Sequence, residues 1–409
     1  MNFDVFFSIS QTPVHGVTPT EAQMFRNFFA EVEAADALGY GVAWIAESHL
    51  SSEVQKRHAK PVIPHWQGEV GLNCDFLQLT HQVLRRTTRI ETGSAVMNIL
   101  VNGGPIAAAE RVAVFSALHG LDPHETRRIH VGFSQGRFEF MNRAAGIVPR
   151  DALETAAWSA LKGLVFAEAT EIFVRLLNKD TLSSDDIAPT VLTRGHFKTE
   201  EAWARVQDAA GTGAASAIQI PRRFRFDVLK IVPQEWRREL VQLVIGSHDP
   251  SLQEAINAWA PVQVFNLSIT QPAIIEDTHQ RMARAYHRDG GPWRREYMPR
   301  TVMVFLNEQP GLSPTRRCAA AREEANAALG AYWTALEGTL DPAKTQNAAD
   351  NSLVGNADDI AQQICERFHP DDRLMLWFDF FNHDAARVIA DMEAFMTQVA
   401  PKVRERMSA

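Results

Sequence analysis

The stretch "VAWIAESHL", residues 42–50, runs from apolar residues directly into a carboxylate, a hydroxyl and an imidazole. A short apolar run with β-branched and aromatic residues is typical of a strand buried on both faces of a parallel sheet. The preceding segment, residues 21–39, keeps apolar residues at helical spacing and ends at a glycine, which indicates a helix. A helix therefore leads into a buried strand, and Glu47, Ser48 and His49 stand where that strand ends.

The alternation of strand and helix is repeated over most of the chain. The strand-like runs are "FDVFFS" (3–8), "GVAWIAE" (41–47), "RIETGSAVM" (89–97), "RIHVGFS" (128–134), "LVQLVIGS" (240–247), "VQVFNL" (262–267), "RTVMVFLN" (300–307) and "RLMLWFDF" (373–380). Eight β/α units predict an α/β protein with a (β/α)8 TIM barrel. Residues 151–238 are too many for one unit, so they are predicted as an insertion after the fourth strand of a single domain, 1–409.

The composition argues against several classes of function. The formal net charge of -8 would repel nucleic acid and anionic membranes, so neither is an expected partner. The sequence shows no apolar run of ~20 residues and no signal-peptide pattern at its amino terminus, so a cytoplasmic location is expected. The three cysteines are far apart, and no HExxH pattern occurs, so no metal site is expected.

The active face of such a barrel lies at the carboxyl ends of its strands. His49 stands at one of these ends and can act as a general base or acid near neutral pH, with Glu47 and Ser48 beside it. The alternative is a structural histidine, with Ser48 merely lining the pocket. The long second βα loop carries His65 and Trp66, and such loops often cover a ligand, although a purely structural loop is also open.

Five motifs in order resemble the bacterial luciferase-like family of flavin-dependent monooxygenases over most of the chain. They are "AADALGYGVAWIAESHL", "TTRIETGSAV", "IHVGFSQGR", "FRFDVLKIVPQEWRRELVQLVIGSHDPSLQEAI", and "VGNADDIAQQI" with "LMLWFDFFNHDAARVI". The catalytic histidine of luciferase aligns with Ser48, and the family's second histidine aligns with His49. The resemblance therefore implies catalytic roles for His49 and Ser48. Candidate substrate contacts are Glu47, Asn98 and, from the long loop, His65 and Trp66.

The resemblance also implies a flavin-phosphate site in "VIGSHDPS", residues 244–251. A strand runs there into a helix that opens with proline, and a helix N-terminus offers free N–H groups to an anion. The residues implied are Gly246, Ser247, His248 and Ser251. The alternative is an ordinary capped helix start.

Two further strand ends complete the implied cofactor site. In "TGSAVMN" small residues let a flat ring approach the backbone, and the resemblance implies a non-proline cis peptide between Ala95 and Val96. In "GFSQGRF" the implied residues are Ser134, Gln135 and Arg137. Many relatives have an arginine where Gln135 stands, so Arg137 is a candidate for the phosphate, and a surface salt bridge is its alternative.

The resemblance predicts a flavin-dependent monooxygenase that uses reduced FMN from a separate flavin reductase, with molecular oxygen, to oxygenate a small organic substrate. No GxGxxG fingerprint opens a βα unit, which argues against a built-in NAD(P)H site. A deazaflavin-dependent oxidoreductase and a non-catalytic flavin-binding protein are the alternatives. The resemblance also implies a homodimer.

Overall fold

The computed structural model describes residues 1–58, 61, 63–336 and 342–408, and its centre is a curled, parallel β-sheet. The strands are β1 Asn2–Phe7, β2 Val42–Ile45, β3 Glu91–Ser94, β4 Met97–Asn98, β5 Ile129–Ser134, β6 Thr190–Thr193, β7 Ala217–Ile220, β8 Val241–Ile245, β9 Val262–Val264, β10 Arg300–Leu306, β11 Leu353–Gly355 and β12 Arg373–Trp377. Each of the eight predicted strands is present, so the α/β class is confirmed.

Helices lie between the strands of the sheet. They are α1 Glu21–Leu38, α2 Ser52–Gln55, α3 Phe76–Arg86, α4 Gly104–His119, α5 Glu139–Ala144, α6 Ala152–Leu177, α7 Glu200–Ala210, α8 Pro250–Ile256, α9 Pro272–Ala285, α10 Pro314–Leu336, α11 Pro342–Asn351, α12 Ala357–Arg367, α13 Ala385–Ala394 and α14 Ala400–Ser408, with a π-helical turn between α13 and α14. None of the described helices is both long and apolar enough to span a membrane.

Neighbouring strands follow the order β11-β10-β12-β1-β2-β3-β5-β8-β9, and β4 also pairs with β5. The segment just after β9 forms a backbone bridge to the start of β10. Asn266 N donates to Pro299 O at 2.9 Å, and Thr301 N donates to Asn266 O at 3.0 Å. Because the paired strands are parallel, their carboxyl ends lie at one rim.

Strand alternation divides the apolar side chains into two layers. In β1, Phe3, Val5 and Phe7 pack in the large core under the helices, whereas Phe6 packs inside the curled sheet with Trp44 and other inner residues. Burial on both faces explains why the strands read as continuous apolar runs. The first helix fits its prediction, since Thr20 caps its start and Gly39, at φ 90°, ends it.

Residues 151–238 separate β5 from β8 and contain α6, β6, α7 and β7. Strands β6 and β7 form an antiparallel sheet of their own, apart from the main sheet. The buried Glu168 of α6 accepts hydrogen bonds from Arg223 N at 3.1 Å and Phe224 N at 2.8 Å, which ties the basic run after β7 to α6. The proposed boundaries, 1–409 and 151–238, stay predictions.

Candidate active site

A buried carboxylate and an imidazole pair at the carboxyl end of β2. Glu47 Oε1 lies 3.0 Å from His49 Nε2, and the two side chains are 3% and 9% exposed. Glu47 also accepts from Asn98 N at 3.1 Å and from Phe76 N at 3.2 Å. The hydrogen bond to Glu47 places the ring proton on Nε2, so Nδ1 carries the lone pair. Protein donors thus engage both carboxylate oxygens of Glu47. Its predicted contact with substrate stays a prediction.

Ser48 lies between these two residues and is also buried. Its backbone N–H donates to Asn73 O at 2.9 Å, while its hydroxyl has no hydrogen-bond partner among the described residues. A Cβ on Gly71 would lie 2.9 Å from Ser48 Cβ, so a glycine is needed for this close approach. A buried hydroxyl without a partner costs stability unless a ligand or water satisfies it.

The floor of the site is apolar and small. The peptide bond between Ala95 and Val96 is cis, as the resemblance implies. Together with Ala46 and Trp377, these two residues are half-buried and cover the inner core at the rim of the sheet. We call these four residues the floor.

Glycines on two neighbouring strands make room for the floor. A Cβ on Gly132 would lie 1.9 Å from Ser94 O and 3.0 Å from Val96 Cγ1, and a Cβ on Gly246 would lie 3.3 Å from Val96 Cγ2. An apolar floor near the unpaired hydroxyl of Ser48 suits a flat molecule with a polar edge.

The residues predicted after the fourth strand hold the local turn. Ser134 Oγ accepts from Gly136 N at 2.9 Å, and Gln135 O accepts from the side chain of Asn142 at 2.8 Å. That same asparagine accepts from the side-chain amide of Asn98 at 2.8 Å, so Asn98 joins the second and fourth strand ends. The roles in cofactor and substrate binding stay predictions.

Arg137 is exposed and follows the carboxyl end of β5. Its guanidinium donates to Tyr332 Oη at 3.1 Å and lies 5.4 Å from the ring centroid of Phe138. In the described part of the chain no carboxylate pairs with it within 4.0 Å, so the salt-bridge alternative is not what the structure shows. The cation is therefore placed to meet an anionic group.

The predicted phosphate loop is occupied by a side chain of its own. Asp249 caps α8, accepting from Ser251 N at 3.0 Å and Leu252 N at 3.4 Å, and Ser247 Oγ accepts from Asp249 N at 3.2 Å. The helix has seven residues. The capped helix start therefore describes this geometry, and a phosphate at these N–H groups would have to displace the Asp249 carboxylate.

The two loop residues predicted to touch substrate differ in exposure. Trp66 is 8% exposed and makes edge-on contacts with Tyr332 and Phe381, whereas His65 is exposed. The aromatic contacts continue from Phe381 to Phe380 and then to Trp377 of the floor. Aromatic side chains thus connect the loop to the floor.

Sequence reasoning missed a buried carboxyl pair beside this rim. Ser8 donates to Asp379 Oδ2 from its backbone N at 3.2 Å and from its hydroxyl at 3.1 Å. Burial raises the pKa of Asp379 to about 6. Burial, and then the nearby charge of Asp379, raise the pKa of Glu31 well above its usual range. The signals were present: Glu31 interrupts the apolar stripe of α1, and Asp379 follows an apolar strand just as Glu47 does.

Replacing Asp379 by asparagine is expected to remove a pH dependence of stability. Because its pKa is raised, the folded protein holds this proton between about pH 4 and about pH 6, whereas the unfolded chain releases it. The free energy of unfolding of the wild type therefore falls as pH rises through this window, by about 3 kcal/mol for this group. Glu31 contributes with the same sign.

Urea unfolding at several pH values measures this slope. Asp277→Asn, at an exposed position of α9, controls for the loss of one negative charge. If Asp379→Asn kept the full wild-type slope while Asp277→Asn behaved identically, the raised pKa would not belong to Asp379.

Within the described ranges, no three His, Cys, Asp or Glu side chains come together as metal ligands.

Comparisons with known proteins identify the fold. No family model matches the sequence, and no curated protein matches it. A structure of the monooxygenase RslO1 from Streptomyces bottropensis is similar, with a TM-score of 0.65 and 16% identity over 98% of this chain and 99% of that one. The FMN complex of the oxygenating constituent of 3,6-diketocamphane monooxygenase, from the CAM plasmid of Pseudomonas putida, gives 0.55 and 13% over 98% of each chain.

An F420-dependent secondary alcohol dehydrogenase in complex with an F420-acetone adduct is similar to nearly the same degree. Its TM-score is 0.54 at 13% identity, over 98% of this chain and 99% of that one. These matches span almost the whole of both chains, at identities that speak for the fold alone. The chain therefore has the luciferase-like fold, as the order of its sequence motifs predicts.

Proposed function

We propose that this chain is a flavin-dependent monooxygenase that takes reduced FMN from a separate reductase and oxygenates a small organic substrate with molecular oxygen. The observation that carries the proposal is the buried pair of Glu47 and His49 at the rim, beside the apolar floor. The fold adds support, since solved monooxygenases share it. A homodimer is part of the proposal, from the resemblance.

We also propose that the curled sheet closes as a (β/α)8 barrel with residues 151–238 inserted after the fourth strand. The backbone bridge between Asn266 and Arg300 supports closure, because it joins the segment after β9 to the start of β10. In a closed barrel the eight βα loops surround one mouth. Glu47, the floor and Arg137 would then share it.

The residues at the mouth suit a flavin. Ala46, Ala95, Val96 and Trp377 would lie beneath the ring, and the unpaired hydroxyl of Ser48 would offer a hydrogen bond to its polar edge. Arg137 would meet the phosphate, together with Ser247 and Ser251 if Asp249 gives way. When bound, reduced FMN supplies the electrons that activate molecular oxygen.

The chain's own part in the chemistry is orientation and proton transfer. His49 Nδ1 would accept a proton from the substrate or return one, and the Glu47 carboxylate would hold the ring in one tautomer and stabilise its protonated form. Two backbone N–H groups fix that carboxylate. The proton-transferring group is therefore held on the buried rim of the sheet and not on a loop tip.

A deazaflavin-dependent hydride transfer is the second candidate, because a dehydrogenase with an F420-acetone adduct matches almost as well as the FMN-bound oxygenase. The two are separated by mixing the protein with reduced FMN, or with reduced deazaflavin, and a panel of small organic substrates. Substrate-dependent oxygen uptake with reduced FMN supports the proposal. Anaerobic hydride transfer with the deazaflavin supports the second candidate, and binding without turnover of any substrate would support a non-catalytic flavin-binding protein.

A further inference from the structure

A groove of about 280 Å³ opens between the loop after α2 and the carboxyl-terminal part of α10. Its walls include Pro13, Trp66, Phe381, Ala331 and Ala335. Among the described residues that line it, none is Asp, Glu, Lys or Arg, and His65 is the one titratable side chain. The volume is near the lower end, ~300 Å³, of pockets that hold small ligands.

The groove has one aromatic side and one side of small residues. On the aromatic side, the rings of Trp66 and Phe381 meet edge-on, with centroids 6.1 Å apart and an interplanar angle of 63°. On the other side, α10 contributes Gly330, Ala331 and Ala335. A Cβ added to Gly330 would meet no described atom within 4 Å, so this wall is open. A slot between aromatic edges and a wall without long side chains suits a flat molecule.

Trp66 carries an unmet hydrogen-bond donor at this groove. It is 8% exposed, and its indole N–H has no acceptor within the described part of the chain. A buried donor of this kind favours a ligand with an acceptor such as a carbonyl oxygen. The other polar side chains in the lining are neutral amides or hydroxyls, apart from His65.

The charge of the protein adds to this selection. An anion entering the groove would lose hydration without meeting a cation among the described lining residues, and the formal net charge of -8 would repel it. Arg137 is not among those lining residues. The groove therefore favours an uncharged molecule.

We propose that this groove binds an uncharged, planar aromatic molecule with a carbonyl-type acceptor, and that such molecules are the substrate class of the site. Only the assignment of the substrate class rests on the proposed function. Aromatic contacts lead from Trp66 through Phe381 and Phe380 to Trp377 of the floor, with the last two steps at 4.9 and 4.7 Å. The groove is thus joined to the candidate active site by a row of contacting aromatic rings.

Calorimetric titration of the flavin-free protein with three matched probes tests the inference. Methyl naphthyl ketone is planar and neutral, naphthoate is planar and charged, and methyl decyl ketone has the same number of carbons without a ring. We expect the naphthyl ketone to bind. Naphthoate and the decyl ketone should bind at least about tenfold more weakly, since a buried unpaired charge and a flexible chain each cost binding free energy.

Two substitutions locate the binding. Ala331→Leu fills the groove and is expected to weaken the naphthyl ketone about tenfold or more, whereas Ala319→Leu, at an exposed position of the same helix, should leave it unchanged. Trp66→Phe keeps an aromatic ring but removes the donor, and a several-fold loss is expected for the two ketones. Circular dichroism verifies that each variant is folded.

Several results would overturn the inference: no binding of the naphthyl ketone, equal affinity for naphthoate, or affinity unchanged by both Ala331→Leu and Trp66→Phe. A separate titration with reduced FMN distinguishes the two proposals. Flavin binding without ketone binding would leave the proposed function and remove the groove. Ketone binding without flavin binding would keep the groove and remove the function.

Discussion

His49→Ala is expected to lower kcat for substrate oxygenation by roughly 10²- to 10⁴-fold, the range typical of a lost general acid or base. The reason is that His49 is the imidazole held at the rim by Glu47, with Nδ1 carrying the lone pair. Single-turnover kinetics with reduced FMN and a bound substrate measure the effect. The dissociation constant for FMN should change little, because His49 is not one of the floor residues.

Two further substitutions are needed to interpret this result. Glu47→Gln keeps the size of the side chain but removes its charge, so it should lower kcat, but less than His49→Ala does. His124→Ala, at an exposed loop position, should leave kcat unchanged. Wild-type turnover by His49→Ala would mean that the proton transfer depends on another group or on the flavin alone.

Gly132→Ala is the substitution with the largest expected effect on folding. A Cβ at this position would lie 1.9 Å from the backbone oxygen of Ser94, so the ends of β3 and β5 must separate. We expect a loss of about 3 kcal/mol in the free energy of unfolding, at the upper end for overpacking, and weakened flavin binding because Val96 moves with Ser94. Urea unfolding and a flavin titration measure the two effects.

Gly163→Ala is its matched control. Gly163 lies in α6, it is exposed, and a Cβ there would meet no described atom within 4 Å. Alanine is the better helix former, so this change should stabilise the protein by about 0.5–1 kcal/mol. Equal, small effects of the two substitutions would contradict the close approach of β3 and β5.

The sequence was a good guide wherever local pattern decides the structure. Strand β2 and helix α1 are readable because burial on both faces gives an apolar run and a helical period gives a stripe. The cis bond at Ala95 could be placed only by resemblance. Strand β11, with three residues, is too short for its pattern to be recognised.

Contacts between distant parts of the chain could not be read in this way. Ser8 and Asp379 are 371 positions apart and meet because β1 pairs with β12. Arg137 and Tyr332 are 195 positions apart and meet only in the folded chain. The capping of α8 by Asp249 is different, because "HDPS" already shows an N-cap residue before proline. The sequence pattern therefore already indicated a capped helix start, and the structure shows that Asp249 caps the helix.

Anaerobic equilibrium binding of reduced FMN to the wild type and to Ala46→Trp tests the central claim most directly. We expect the wild type to bind reduced FMN. Ala46→Trp fills the floor, so it should weaken binding about tenfold or more without lowering the unfolding midpoint by more than a few degrees. Ser247→Ala with Ser251→Ala, measured alongside, reports on the phosphate loop separately. Unchanged binding by Ala46→Trp, or no binding by the wild type, would contradict a flavin site at the rim of this sheet.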